Sequence, residues 1–127
     1  MSKILFIDDE REFETVISGK YIQRFGLPQF NDKQKLILSD NPIIDIARNY
    51  DQAIQLLSYN QYDMIFFDHD LGENQSGKDI ANWITKNIQT PFEFYVHSAN
   101  IVGRTNIHSL LFQYNNFLNN ASSKEQS

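Results

Sequence analysis

The 127-residue chain contains no cysteine. That excludes a disulfide framework, a thiolate metal site and a cysteine nucleophile. Glycine (5) and proline (3) are sparse, which excludes a collagen-like or low-complexity chain. No apolar run approaches the ~18 residues of a membrane span, so none is expected. Positive charge is also scarce, with Lys+Arg 11 against Asp+Glu 16 and a net charge of −5. Affinity for an extended nucleic-acid backbone comes from Lys and Arg displacing counterions, so extended DNA binding is not expected. Binding of one phosphate through a metal stays compatible with this charge. The chain starts Met-Ser-Lys, followed by a short apolar run that meets Asp8 and Asp9. This is too short and too acidic for a signal peptide, and the expected location is the cytoplasm. Gly72 and Gly77 do not form a phosphate-cradling glycine loop, because no Walker pattern surrounds them.

What is present is 41% hydrophobic and 13% aromatic residues, enough for one packed domain. Residues 3–7 (KILFI) are apolar on both faces and read as a strand buried in a parallel sheet. Residues 10–25 carry Phe13, Val16, Ile17, Tyr21 and Ile22 at helical spacing, with Gly26-Leu27-Pro28 as a stop. Leu36-Ile37-Leu38 reads as a short extra strand before the turn Ser39-Asp40-Asn41-Pro42. A strand is expected over 43–48 and a helix over 51–60. A second fully buried strand covers 63–67 (DMIFF) and ends in Asp68-His69-Asp70. Ser76 with Asp79 approximates a capping box for a helix over 77–87. A strand over 92–97 ends at His97-Ser98, and a last helix covers 104–118. Residues 119–127 read as a polar, frayed tail, leaving 1–118 as the domain. Strands alternating with helices imply a parallel sheet with helices on both faces.

In such a doubly wound sheet all strand carboxyl ends share one edge, where ligands bind. Asp8, Asp9, Asp68, His69, Asp70, His97, Ser98 and Asn100 therefore converge by topology. Two carboxylates ~4 Å apart repel by about 4 kcal/mol at an effective dielectric near 20. Either a pKa rises or a cation neutralises the group. A hard dication such as Mg2+ suits carboxylates, waters and a phosphate oxygen, although His69 would also suit a softer metal.

Three segments carry a resemblance. KILFIDDE (3–10), YDMIFFDHDLGENQSG (62–77) and Ser98 resemble the receiver domain of two-component response regulators. The resemblance implies a flavodoxin-like, three-layer α/β fold. It makes Asp8 and Asp9 magnesium ligands, Asp68 the phosphoacceptor, Asp70 the donor of a backbone carbonyl to the metal, and Ser98 a contact to the phosphoryl group. The family's fifth strand, with its lysine, and its fifth helix have no counterpart here, leaving four core strands in order 2-1-3-4. DDER (8–11), DHDLG (68–72), HSAN (97–100) and VGR (102–104) resemble more closely the cyclic-phosphate processing receiver domains. That group implies handling of cyclic phosphate ends of RNA or nucleotides, with His69 and His97 as its distinguishing histidines.

The competing readings of single residues are ordinary ones. Asp8 and Asp9 also suit a helix N-terminal cap, His69 a loop surface, His97 a satisfied core position and Asn100 an N-cap. His97 and Ser98 alternate, so their side chains leave the strand on opposite faces. Arg104 opposes a helix dipole, which hints at an anion partner. Arg48 and His108 read as surface residues.

The expectation is thus a stand-alone receiver-like domain with a divalent metal, Mg2+ or another, at Asp8, Asp9, Asp68 and Asp70. Asp68, His69 and His97 are the candidate catalytic groups, and Ser98, Asn100 and Arg104 the phosphate contacts. The expected partner is a phosphorylated small molecule or an RNA end. The alternatives are a phosphoaccepting switch that binds a protein partner, or a non-catalytic adaptor. Loss of a fifth strand exposes the fourth, so either a covering segment from 27–42 or a homodimer through that edge is expected.

Overall fold

The computed structural model describes residues 1–18, 30–98 and 100–126, with only the backbone for 121–126. The elements are β1 (Lys3–Ile7), α1 (Phe13–Ile17), α2 (Asp32–Ser39), β2 (Ile43–Ala47), α3 (Tyr50–Tyr59), β3 (Met64–Phe67), α4 (Gly77–Asn87), β4 (Glu93–Val96) and α5 (Ile101–Gln126). The four strands form one parallel sheet in the order β2-β1-β3-β4. This is the shortened sheet that the sequence implies. The part of the expected first helix lying at 19–25 falls outside the described residues.

Strand alternation sorts the core into two layers. Leu5, Ile7, Ile65, Phe67 and Val96 pack on one face against Leu57, Ile80, Ile84, Ile107 and Leu111 from α3, α4 and α5. Ile4, Phe6, Met64 and Phe66 pack on the other face against Phe13 and Val16 of α1, with Phe30, Ile37, Leu38 and Tyr95 beside them. Burying each such side chain contributes roughly 1.5–3 kcal/mol. The helix starts follow local chemistry. The Asn49 side chain accepts from the Gln52 N–H at 2.9 Å. The Ser76 N–H donates to the Asp79 carboxylate at 2.7 Å.

Two expectations change. Leu36-Ile37-Leu38 is helical, not a strand. Asn31 and Gln34 cap each other reciprocally, the Asn31 side chain accepting from the Gln34 N–H at 2.8 Å and the Gln34 side chain from the Asn31 N–H at 3.1 Å. Three apolar residues are too few to distinguish the two periods, and the cap decides. Leu36 then faces solvent while Ile37 and Leu38 are partly buried. At the other terminus α5 continues past Leu118 to Gln126.

A covering segment does close much of the β4 edge. Glu93 and His97 turn their N–H groups toward β3, donating to Asp63 and Phe67 at 2.9 Å each. The alternate positions 92, 94 and 96 therefore face outward. The buried Gln34 amide donates to the Phe94 carbonyl at 3.1 Å. From the opposite side, Asn115 of α5 donates to the Phe92 carbonyl at 2.7 Å and accepts from its N–H at 3.4 Å. Lys33 and Asn31 both reach Glu93, at 3.8 and 3.2 Å. Side-chain amides thus occupy edge groups that a fifth strand would have paired.

Gln34→Ala leaves the Phe94 carbonyl without its partner and removes half of the α2 cap. The expected loss is about 2 kcal/mol, read as a lower urea midpoint at unchanged slope. An unchanged midpoint would show that α2 does not close this edge.

Candidate functional site

The parallel register places the site. Ile7 pairs with Phe67, and Phe67 with Val96. The ladder continues one rung further, the Asp68 N–H donating to Ile7 at 3.0 Å and the His97 N–H to Phe67 at 2.9 Å. Asp8, Asp68 and His97 are therefore neighbours on the next rung, at the carboxyl edge of β1, β3 and β4. By alternation they lie on the face of Phe6 and Phe66, and the His97 ring stacks on Phe6 with centroids 5.1 Å apart. Ligating atoms of these three buried residues all lie within 4.8 Å of one another.

Asp8 is fully buried. One carboxylate oxygen accepts from the Glu10 and Arg11 N–H groups at 2.9 and 2.7 Å. The other faces His97 Nε2 at 2.9 Å and the Arg11 guanidinium at 3.8 Å. Burial alone would push the Asp8 carboxyl up. The His97 hydrogen bond and the two backbone donors outweigh it and hold the group below the ordinary carboxylate value. Asp68 goes the other way. Burial and the neighbouring Asp8 charge push its carboxyl up, against a smaller opposing effect of His97, Arg11 and the Asp70 N–H.

An ionised carboxylate only accepts hydrogen bonds, so His97 carries its proton on Nε2. Its Nδ1 is then buried without a partner. Two carboxylates, one of them destabilised as an anion, and an imidazole with an unsatisfied nitrogen make a donor set that fits a divalent cation. The imidazole extends the fit from Mg2+ toward borderline cations.

The other expected residues sit around this rung. The Asp9 carboxylate lies against the loop after β3, with Oδ2 3.2 Å from where a Cβ on Gly72 would stand. The Asp70 side chain is exposed and takes His69 Nδ1 at 2.9 Å. Neither carboxylate belongs to the three-residue cluster. Ser98, also buried, accepts the Asn100 N–H on its hydroxyl at 3.1 Å. The Asn100 side chain accepts from the Gly103 N–H at 2.9 Å, which starts α5, and its amide nitrogen lies 3.5 Å from His69 Nδ1. Arg104 lines a different cavity, beside Tyr95 and His108.

Sequence reasoning assigned no role to four residues. Arg48, read as a surface residue, instead clamps the loop after β1. Its guanidinium donates to the carbonyls of Arg11 at 2.6 Å and Asp8 at 3.3 Å and pairs with Glu12 at 3.0 Å. The adjacency of β2 and β1 could have indicated this. Arg11 brings its guanidinium to Asp8 and, at 3.4 Å, to the His97 carbonyl. Gly77 and Gly103 are needed for close approach: a Cβ on Gly77 would overlap the Asp68 carbonyl oxygen, and one on Gly103 the imidazole of His69. The Gly103 contact brings the VGR and DHDLG segments together.

A parallel four-stranded sheet with an acidic pocket at its carboxyl edge defines a receiver domain. The model of the cyclic-phosphate processing receiver domain matches residues 3–113, and the chain belongs to that family. It is 45% identical over 49 residues to the sensory transduction protein LytR of Staphylococcus saprophyticus, a match covering 39% of this chain and 19% of that protein. The chain thus spans about a fifth of that curated relative. Among solved structures it is similar to the response regulator TrrA of Thermotoga maritima in complex with Mg2+-BeF. That likeness has a TM-score of 0.55 at 20% identity, over 87% of this chain and 81% of that one. The receiver domain of Francisella response regulator 1452 gives 0.52 at 19% identity, over 95% and 99%. At these identities the structural likeness concerns the fold. Among the described residues no helix is long and apolar enough to cross a membrane.

Two predictions follow from the geometry. Asp68 binds its proton more tightly folded than unfolded, so its ionisation costs stability as pH rises from the ordinary carboxylate range through the raised value. At pH 7 without divalent cations this penalty opposes folding, and Asp68→Asn is expected to raise the melting temperature by about 3 °C. A lower melting temperature would contradict the charge crowding. Gly103→Ala should expel the His69 ring, read as a shifted His69 imidazole NMR signal with that of His97 unchanged.

Proposed function

We propose that the buried rung holds a divalent cation and a phosphate ester, and that the domain opens cyclic phosphate ends of nucleotides or RNA. The observation that carries this reading is the imidazole of His97 built into the acid cluster, 2.9 Å from Asp8. A site that only accepts a phosphoryl group needs a carboxylate and positive charge. Ring opening also needs proton traffic, because water must lose a proton as its oxygen bonds phosphorus and the departing ribose oxygen must gain one. Bound at Asp8, Asp68 and His97, the cation would neutralise the crowded carboxylates and polarise a phosphate oxygen.

The chain's own residues divide the remaining work. Asp8, held ionised by two backbone donors, orients His97 and fixes its proton on Nε2. The Asp70 carboxylate takes the Nδ1–H of His69, which leaves Nε2 of that ring to accept the proton from water. Ser98 and Asn100 hold the start of α5, and Gly103 lets the helix approach the His69 ring. Asp9, at the rim, would supply a further carboxylate to the waters around a bound cation.

A second reading is favoured by the comparisons: LytR is a sensory transduction protein, and TrrA is a response regulator seen with Mg2+-BeF. In that reading Asp68, at the end of β3, accepts a phosphoryl group and the domain is a switch. The lysine that the receiver resemblance places on a fifth strand has no such strand to carry it among the described residues.

Incubation with Mg2+ or Mn2+ and 2′,3′-cyclic nucleotides, followed by phosphorus NMR, tests both readings. Ring opening should slow at least ~100-fold in Asp68→Asn and in His69→Ala. Absence of turnover together with labelling of Asp68 by acetyl phosphate would select the switch.

A further inference from the structure

A second cavity, of about 510 Å³, lies on the open edge of β4 between α2 and the first turns of α5. Its walls include Phe94, Tyr95, Val96, Arg104 and His108. The size falls within the ~300–1,000 Å³ range of small-molecule sites. We propose that this cavity binds a mononucleotide at a site separate from the acidic rung, with Arg104 on the phosphate and the base against Tyr95 and Phe94.

Three observations carry this. First, Arg104 is a cation without an anion. Among the described residues its guanidinium makes no hydrogen bond and no ion pair, although acids outnumber bases by 16 to 11. It also stands in the first turn of α5, where the helix dipole disfavours positive charge. A guanidinium so placed calls for an external anion, and a phosphate matches its fork of donors.

Second, the neighbouring polar groups are uncommitted as well. The hydroxyl of Tyr95 has no hydrogen-bond partner among the described residues, and burial raises its pKa while the Arg104 charge acts in the opposite direction. The His108 ring makes only aromatic contacts, edge-on to Phe94 at 5.3 Å and stacked on Phe112 at 6.0 Å. Aromatic faces beside an unpaired cation suit a ligand with a planar ring and a negative group. The outward edge of β4 at Val96 offers backbone groups to the hydrogen-bonding rim of a base.

Third, the edge is shut to a longer guest. Gln34 and Asn115 already occupy the carbonyls of Phe94 and Phe92, so an added β-strand could not pair along β4. A compact ligand fits where a strand does not.

The test is calorimetric titration of the intact chain in EDTA with AMP, GMP, CMP and UMP, with inorganic phosphate as reference. Removing divalent cations separates this cavity from the metal-dependent reading of the acidic rung. At least one nucleotide should bind with Kd of about 0.1 mM or tighter, and about tenfold tighter than phosphate. Arg104→Gln should weaken it about tenfold, Tyr95→Phe should weaken it less, and Arg104→Lys should retain part of it. Asp68→Asn should leave it unchanged. The proposal is overturned if no nucleotide gives a saturable heat, if phosphate binds as well as the nucleotides, if Arg104→Gln binds like the parent, or if Asp68→Asn abolishes binding.

Discussion

Two carboxylates on adjacent strands of one buried rung impose the constraint from which the rest of this domain follows. Asp8 and Asp68 occupy successive positions of a parallel ladder that gives them no freedom to separate. Water does not screen them: burial and the Asp8 charge push the Asp68 carboxyl up, while the His97 hydrogen bond and two backbone donors hold Asp8 down against its own burial. Asp8 takes the donors: two backbone N–H groups and the His97 imidazole. Asp68 is left with one long contact from the Asp70 N–H at 3.3 Å. The asymmetry assigns roles before any ligand arrives. Asp8 is the fixed anion, and Asp68 is the group whose charge a cation or a proton must complete.

The surrounding structure can be read as support for that arrangement. The loop after β1 must turn sharply to bring the Glu10 and Arg11 N–H groups onto Asp8, and Arg48 from the end of β2 ties down the carbonyls of that loop. The loop after β3 must pass close to α4, which requires a residue without a side chain at position 77. The start of α5 must approach the same loop, which requires one at 103. Ser98 and Asn100 connect these pieces through the chain of contacts Ser98–Asn100–Gly103 and Asn100–His69. The end of β4 and the start of α5 are therefore one hydrogen-bonded unit, and the His69 ring of the loop after β3 packs against it at Gly103.

Much of this was legible in the sequence because it follows from periodicity and topology. Apolar runs ending in acids located β1 and β3, helices between strands implied the parallel sheet, and the receiver resemblance supplied its order. What was not legible depends on register and on long side chains. That Asp8, Asp68 and His97 share a rung follows only when Ile7, Phe67 and Val96 are known to be in register. Arg48 and Arg11 could not be placed, because an arginine reaches over several ångströms in a direction the backbone does not reveal. The Leu36–Leu38 run misled for a different reason. Its apolar pattern is short, and the decisive signal was the Asn31–Gln34 reciprocal cap, which lies upstream.

Among the described residues no fifth strand joins the sheet, which poses a problem of charge as well as of pairing. In the resemblance that this chain carries, that strand ends in the lysine facing the phosphoryl group. Here the positive groups acting on Asp68 are His97 and Arg11, delivered from the end of β4 and from the loop after β1. Both are already engaged with Asp8, so neither is a free counterion to a doubly negative phosphoryl group. In the proposed reading the phosphate is a cyclic diester with a single negative charge, which asks less of these two groups than an acyl phosphate would. The side-chain amides of Gln34 and Asn115 meet the outer edge of β4, and Arg104 lines the cavity beside it.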